Sequence, residues 1–267
     1  MFEAYFNLTG TPFGRNVGVK ELAKSESREE LNSRLLHVAR TRSFGVFTGD
    51  VGTGKTTAIR RFASELDKNR HLVLYISDSA LTPRNFYWEA LHQLGCTPRF
   101  YRGDAKRQLQ KMLAELTDNE KKTPVIIVDE AHLLSREMLE EIRFLLNLNM
   151  DSYSALALIL VGQSELKEML RLQVYQAIAQ RVDMRFHLCA MDRAETSEYI
   201  KRHLNAVKSP SDIFTQAALH LIHDCAGGLP RMVNKIAIAC LMTGSNIGQM
   251  LIDDHIVRSV IANEFEA

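Results

Sequence analysis

The chain has 267 residues, 46% of them hydrophobic and 24% charged, with a formal net charge of +1. That length suits one large domain or a domain with a smaller companion, and it buries enough surface to fold without staples. The near-zero charge excludes a basic coat over the whole surface but leaves room for a local basic patch, and the longest apolar stretch, Ala155 to Gly162, is far too short to cross a bilayer.

Residues 1–25 are mixed and include Gly10, Pro12, Gly14 and Gly18, which reads as an ordered extension with little regular structure. Glu3 and the lack of a basic lead into an apolar core argue against a secretory signal, so a cytoplasmic chain is expected. Ser27 is placed to cap a helix over 28–41, with Glu30 at the capping-box position and Leu31, Leu35, Leu36 and Val38-Ala39 at helical spacing. Phe44 to Thr48 then reads as a short buried strand.

The next stretch, Gly49-Asp50-Val51-Gly52-Thr53-Gly54-Lys55-Thr56, fits the P-loop pattern G-x-x-x-x-G-K-[ST] at every fixed position. Thr56-Thr57-Ala58-Ile59 continues it as a helix. Glycines let backbone N–H groups wrap a phosphate, and the helix start adds free N–H groups and its positive dipole end. Lys55 is expected on the β- and γ-phosphates and the Thr56 hydroxyl on Mg²⁺. A glycine turn that merely precedes a lysine is the alternative, and the strand–loop–helix setting speaks against it.

A second strand is expected over 71–77. Pro83 opens a helix ending at Gly95, a further helix runs over 104–116, and a third strand covers 125–128. That strand belongs to Pro124-Val125-Ile126-Ile127-Val128-Asp129-Glu130, an apolar run ending in two carboxylates. Such a run fits a strand buried on both faces of a parallel sheet, and ligands bind at the carboxyl ends of those strands. In a Walker B reading Asp129 holds Mg²⁺ and Glu130 polarises the attacking water; in the plainer one the pair only caps the following helix. A helix over 136–148, a fourth strand over 156–161, two short helices in 164–181 and a fifth strand over 185–188 complete an alternation that predicts a parallel α/β sheet. After Leu188 only helices are expected, over 192–207, 215–226, 230–243 and 253–264, with Asp192 as a cap and Pro210 and Gly227-Gly228-Leu229-Pro230 as breaks. The four cysteines lack C-x-x-C spacing and the nine histidines lack metal spacing, so both sets read as ordinary residues of a reduced protein; His132 alone follows the acidic pair closely enough to touch a nucleotide site.

A P-loop sheet followed by a helical lid resembles the AAA+ ATPases, and within them the secretion-pathway A-component (ExeA-like) family with its relatives among transposition helper ATPases. The likeness is carried by Pro12-Phe13, the P-loop, Val128-Asp129-Glu130-Ala131-His132, Leu158 to Gln163, Gln180-Arg181 and Gly228-Leu229-Pro230-Arg231. It implies an N-terminal extension (1–25), a core (26–190) of a parallel five-stranded sheet sandwiched by helices, and an all-helical lid (191–267). It further implies Mg²⁺-dependent ATP hydrolysis, with Gln163 as sensor 1 and Arg231 as sensor 2 on the γ-phosphate. Arg181 stands where such ATPases carry the arginine finger that serves a neighbouring subunit, and Arg185 competes for that role; either implies a homo-oligomer, ring or helical filament.

Secretion members of the family usually add a membrane segment and a cell-wall-binding domain, which these residues do not contain. That favours a helper of transposition, assembling on duplex DNA with ATP and recruiting a transposase, over a secretion or envelope-assembly ATPase or a switch with little turnover. Arg99, Arg102, Lys106, Arg107 and Lys111 crowd one segment with Phe100 and Tyr101 among them, and Arg84 is expected to join from the preceding loop. The mixture suits phosphate contact with stacking, and equally a solvated helix face.

Overall fold

The computed structural model describes residues 2–14, 25–146, 154–209 and 212–265, so Gly18, Pro210 and the expected helix end at 147–148 lie outside it. The described residues form two compact units, one of residues 27–50 and 55–188 and one of residues 1–26, 51–54 and 189–267.

The first unit is the sheet unit. Its strands are β1 (Phe44–Gly49), β2 (His71–Ile76), β3 (Thr123–Val128), β4 (Ala157–Gly162) and β5 (Met184–Leu188). They form one sheet in the order β2-β3-β4-β1-β5, with every pairing parallel. All residues of β1, β3 and β4 are buried, as the unbroken apolar runs required. Successive side chains point to opposite faces. Ile126, Val128, Leu158 and Leu160 therefore join one core with Phe86 and Leu91 of α4 (Pro83–Gln93), Leu109 and Leu113 of α5 (Arg102–Asp118) and Ile142 of α6 (Arg136–Leu146). Val125, Ile127, Ile159 and Val161 join the opposite core with Leu31 and Leu35 of α2 (Glu26–Thr41) and Ile59 and Phe62 of α3 (Lys55–Glu65). The short helices α7 (Ser164–Met169) and α8 (Gln176–Ala179) lie between β4 and β5. Thr82 caps α4 by accepting from the N–H of Asn85, one residue before the proline that begins it.

The second unit is helical: α9 (Arg193–Ala206), α10 (Gln216–Ala226), α11 (Pro230–Ile247) and α12 (Asp254–Glu264). Asp192 and Glu195 form a full capping box at α9. Between α10 and α11, Gly228 has φ +66 and a Cβ there would come within 2.0 Å of the Met191 carbonyl oxygen, so a side chain is excluded. Residues 2–14 do not stand apart as an extension. They hold a one-turn helix, α1 (Phe2–Tyr5), and bury Phe2, Phe6, Leu8 and Phe13 in the same core as Ile200, Leu219, Val233 and Val257. A short segment with four large apolar side chains can bury them only against other elements, which is why it packs here. Among the described residues no helix is long and apolar enough to cross a membrane.

Candidate nucleotide site

In the sheet unit β4 lies between β1, which leads into the P-loop, and β3, which ends in the carboxylate pair. Strands about 4.8 Å apart thus bring three strand ends together at one edge. α3 starts at Lys55. The Lys55 ammonium donates to the carbonyl oxygens of Gly49 (2.7 Å) and Asp50 (2.9 Å), which fixes its charge against the end of β1. Ser164, at the start of α7, donates to Asp50 Oδ1 at 2.5 Å and ties the loop to the end of β4. Thr57 follows half-buried in α3.

Asp129 is buried, and both of its oxygens accept hydrogen bonds. Oδ1 accepts the N–H of Glu130 at 2.8 Å. Oδ2 accepts the hydroxyls of Thr56 at 3.2 Å and Tyr75 at 2.6 Å. Burial and the adjacent Asp129 push the Tyr75 phenol far up, so it stays a donor. Tyr75 was not singled out from the sequence; the alternation of β2 gives its face, but only the register Ile76↔Val128 brings it level with the Asp129 end of β3.

Glu130 has φ +52 and ψ 32, a left-handed backbone on a residue with a Cβ. That conformation costs roughly 1–2 kcal/mol and is kept where the surroundings enforce it. Its side chain is 43% exposed, with Oε2 3.5 Å from Nδ1 of His132. The N–H of Gln163, the first residue after β4, points at the same Nδ1 from 3.4 Å. A neutral ring can accept the one or donate to the other at that nitrogen, not both.

The helical unit holds the P-loop tip, residues 51–54. Gly52 has φ +86 and Gly54 φ +97, backbone that favours glycine, and a Cβ on Gly52 would lie 3.2 Å from Cβ of Arg231. Thr53 is buried and Val51 exposed. The Arg231 N–H, in the first turn of α11, donates to the Gly52 carbonyl at 3.3 Å, so a P-loop oxygen satisfies one of that helix's free donors.

This cradle fits a nucleotide phosphate and a hard divalent ion. Within the sheet unit the Lys55 ammonium offers its charge to a phosphate, and the hydrogen bond to Asp129 turns the lone pairs of the Thr56 hydroxyl away from the carboxylate, free for an oxygen-seeking cation.

An AAA domain model matches residues 38–170. General secretion pathway protein A of Aeromonas hydrophila is 32% identical over 92% of this chain, which spans 46% of that protein, less than half its length. The chain belongs to the AAA+ ATPases. Solved AAA+ structures share the fold: Aeropyrum pernix ORC2 (TM-score 0.71, 18% identity, 94% of this chain and 71% of that one) and a Drosophila ORC structure bound to DNA (0.73, 18%, 100% and 66%). The Thermotoga maritima RuvB Holliday junction branch migration motor is a third (0.60, 19%, 90% and 69%).

The remaining candidate residues of this AAA+ chain lie elsewhere in the sheet unit. Arg181 follows α8, half-buried, its N–H bonded to the Ile178 carbonyl. Arg185 is on β5, where Nη2 donates to the Ala179 carbonyl at 2.5 Å, and it lines a cavity with Lys167, Arg171 and His187 and the apolar Val46, Leu170 and Phe186.

The basic segment divides in two. Arg102 and Lys106 turn inward to Glu141 of α6, whose side chain is only 6% exposed, and Arg102 also pairs with Glu137. Burial alone would raise the Glu141 carboxyl, but hydrogen bonds from Lys106, Tyr87 and Arg102 hold it down at about 2. Glu141 is an ion-pair centre that the sequence does not advertise, since its partners arrive from α4 and α5. Arg107 pairs with Asp104 one turn away at the surface. Arg84 lies over two rings, 5.1 Å from Trp88 and 4.8 Å from Phe100, while Trp88 donates to the Arg99 carbonyl. Phe100 and Tyr101 are 67% and 71% exposed.

Proposed function

We propose that this chain binds and hydrolyses ATP with Mg²⁺ in an assembly of its own copies, and that it serves as a helper ATPase of transposition, assembling on duplex DNA and recruiting a transposase. The observation that carries the nucleotide chemistry is the bond of Thr56 to Asp129 beside the P-loop lysine. Gly49 to Thr57 wrap the phosphates, Lys55 neutralises them, and Thr56 and Asp129 hold Mg²⁺. The ion supplies charge neutralisation at the transferring phosphoryl group. Glu130 orients and polarises the attacking water, Gln163 and Arg231 contact the γ-phosphate, and Arg181 acts on the neighbouring copy.

The DNA part of the reading is supported by an outward ridge on α4 and the turn before α5. Arg84 over the Trp88 and Phe100 rings, with the exposed Tyr101 next to Phe100 and with Arg99 and Arg107 on the same stretch of chain, joins cations to aromatic rings. Such a surface suits phosphate contact without sequence preference. A second reading, an ATPase of secretion acting on envelope proteins, is favoured by the 32% identity to General secretion pathway protein A.

Fluorescence anisotropy with duplex DNA separates the two. Binding is expected with a non-hydrolysable ATP analogue, falling with salt at a log–log slope of roughly 0.9 per phosphate neutralised. Combined Arg84→Ala, Arg99→Ala and Arg107→Ala should flatten the slope with ATP affinity kept. Arg102→Ala and Lys106→Ala should instead lower thermal stability, because they strip Glu141 of its partners. No ATP-dependent DNA binding at low salt would sink the transposition reading and promote the secretion one.

A further inference from the structure

We propose that Tyr75 is a positioning residue for Asp129, and that Gln93 of α4 sets Tyr75 in turn, so that the grip on magnesium is adjusted from outside the P-loop. The inference rests on Asp129 being the magnesium carboxylate.

The geometry has three parts. First, Oδ2 of Asp129 accepts from both Tyr75 (2.6 Å) and Thr56 (3.2 Å), while among the described residues Oδ1 accepts the Glu130 N–H alone. A carboxylate oxygen has two lone-pair directions, so Oδ2 is filled and the free direction is on Oδ1. Tyr75 thereby fixes the rotation of the carboxylate and the oxygen it can present. Second, Tyr75 is on β2, the edge strand of the sheet. Among the described residues its outward N–H and C=O meet no further strand, and the Gln93 side chain takes that place: Oε1 accepts the Tyr75 N–H at 3.0 Å and Nε2 donates to the Tyr75 carbonyl at 2.7 Å. Third, Nε2 of Gln93 also donates to Glu89 Oε1 at 2.7 Å, which fixes the amide's orientation. The path from α4 to Asp129 runs through the hydrogen bonds of Gln93 to the Tyr75 backbone, across the Tyr75 side chain itself, and through its hydroxyl to the carboxylate. α4 also carries Arg84 and Trp88, so whatever docks on that ridge touches the helix that holds Tyr75.

The test measures affinity for a fluorescent ATP analogue across a magnesium titration, which needs no turnover. Tyr75→Phe keeps the ring and removes only the hydroxyl. The magnesium concentration giving half the tight binding should rise about three- to tenfold, in line with losing one hydrogen bond to a charged group, with magnesium-free affinity unchanged. Gln93→Met should move the midpoint the same way by less, and should add nothing in the Tyr75→Phe background. A purely structural role predicts equal loss with and without magnesium, and that result overturns the proposal. So does an unmoved midpoint in Tyr75→Phe when Asp129→Asn shifts it, which leaves Asp129 as the metal carboxylate. If Asp129→Asn leaves the midpoint in place as well, Asp129 is not the metal carboxylate and the proposed function fails with the inference.

Discussion

The hydroxyl of Thr56 donates to Oδ2 of Asp129 at 3.2 Å, joining residues 73 positions apart in the chain. One residue earlier, the Lys55 ammonium is held by two loop carbonyls within 3 Å, at 2.7 and 2.9 Å. Those carbonyls fix its place without neutralising its charge. Lys55→Ala should therefore abolish tight ATP binding while the melting temperature stays near that of the wild type. A calorimetric titration showing unchanged ATP affinity would remove the P-loop from the account.

The residues legible in sequence were those whose meaning is local. The P-loop is read from eight consecutive residues, and β3 from an apolar run whose every residue proves buried. Asp192 as a cap follows from its own neighbours, and the capping box is there. What stayed hidden depends on pairing at a distance. Tyr75 meets Asp129 only because β2 pairs with β3 in that register. Arg102 and Lys106 look like free cations until α6 brings Glu141 beneath them. Phe2, Phe6 and Phe13 read as part of an ordered extension with little regular structure until the helical core that receives them exists.

Glu130 combines a left-handed backbone with a half-open carboxylate. Glu130→Gln keeps the backbone and the shape but cannot polarise water. It should bind ATP and Mg²⁺ normally, hydrolyse very slowly and accumulate the ATP-bound assembly. Glu130→Gly should be equally inactive yet more stable by about 1 kcal/mol, because glycine accepts φ near +52 without strain. Wild-type turnover in Glu130→Gln would dismiss Glu130 as the catalytic carboxylate. A drop in melting temperature for Glu130→Gly would dismiss the strain.

The helical unit should be acid-sensitive through His203. The ring is buried against Phe13 (5.1 Å between centroids) and Tyr199 (4.4 Å), and Nε2 has no hydrogen-bond partner among the described residues. Burial lowers its pKa from 6.5 to about 4. The unfolded chain thus takes up a proton that the folded one refuses. The stability this contributes is complete above about pH 6.5 and is lost as pH falls towards 4, by about 3 kcal/mol at most. His203→Leu should flatten melting temperature against pH across that window. An equally steep decline in the variant would assign the acid sensitivity to other groups.

Arg181 and Arg185 are the two candidates for the trans-acting role, and each makes its own prediction. The Arg185 guanidinium is engaged by the Ala179 carbonyl of its own chain, so Arg185→Ala should cost stability more than turnover. On the proposed trans-acting role, Arg181→Ala should bind ATP but lose hydrolysis, since the arginine would act on the next copy's phosphate. The decisive experiment mixes inactive proteins. In an equal mixture of Arg181→Ala and Lys55→Ala, about a quarter of the head-to-tail interfaces pair an intact Lys55 with an intact Arg181 on the correct side. Activity should return to roughly that fraction of wild type and vary with the ratio as the product of the two fractions. Mixtures that stay dead at every ratio, while Arg185→Ala shows that behaviour with Lys55→Ala, would transfer the trans-acting role to Arg185.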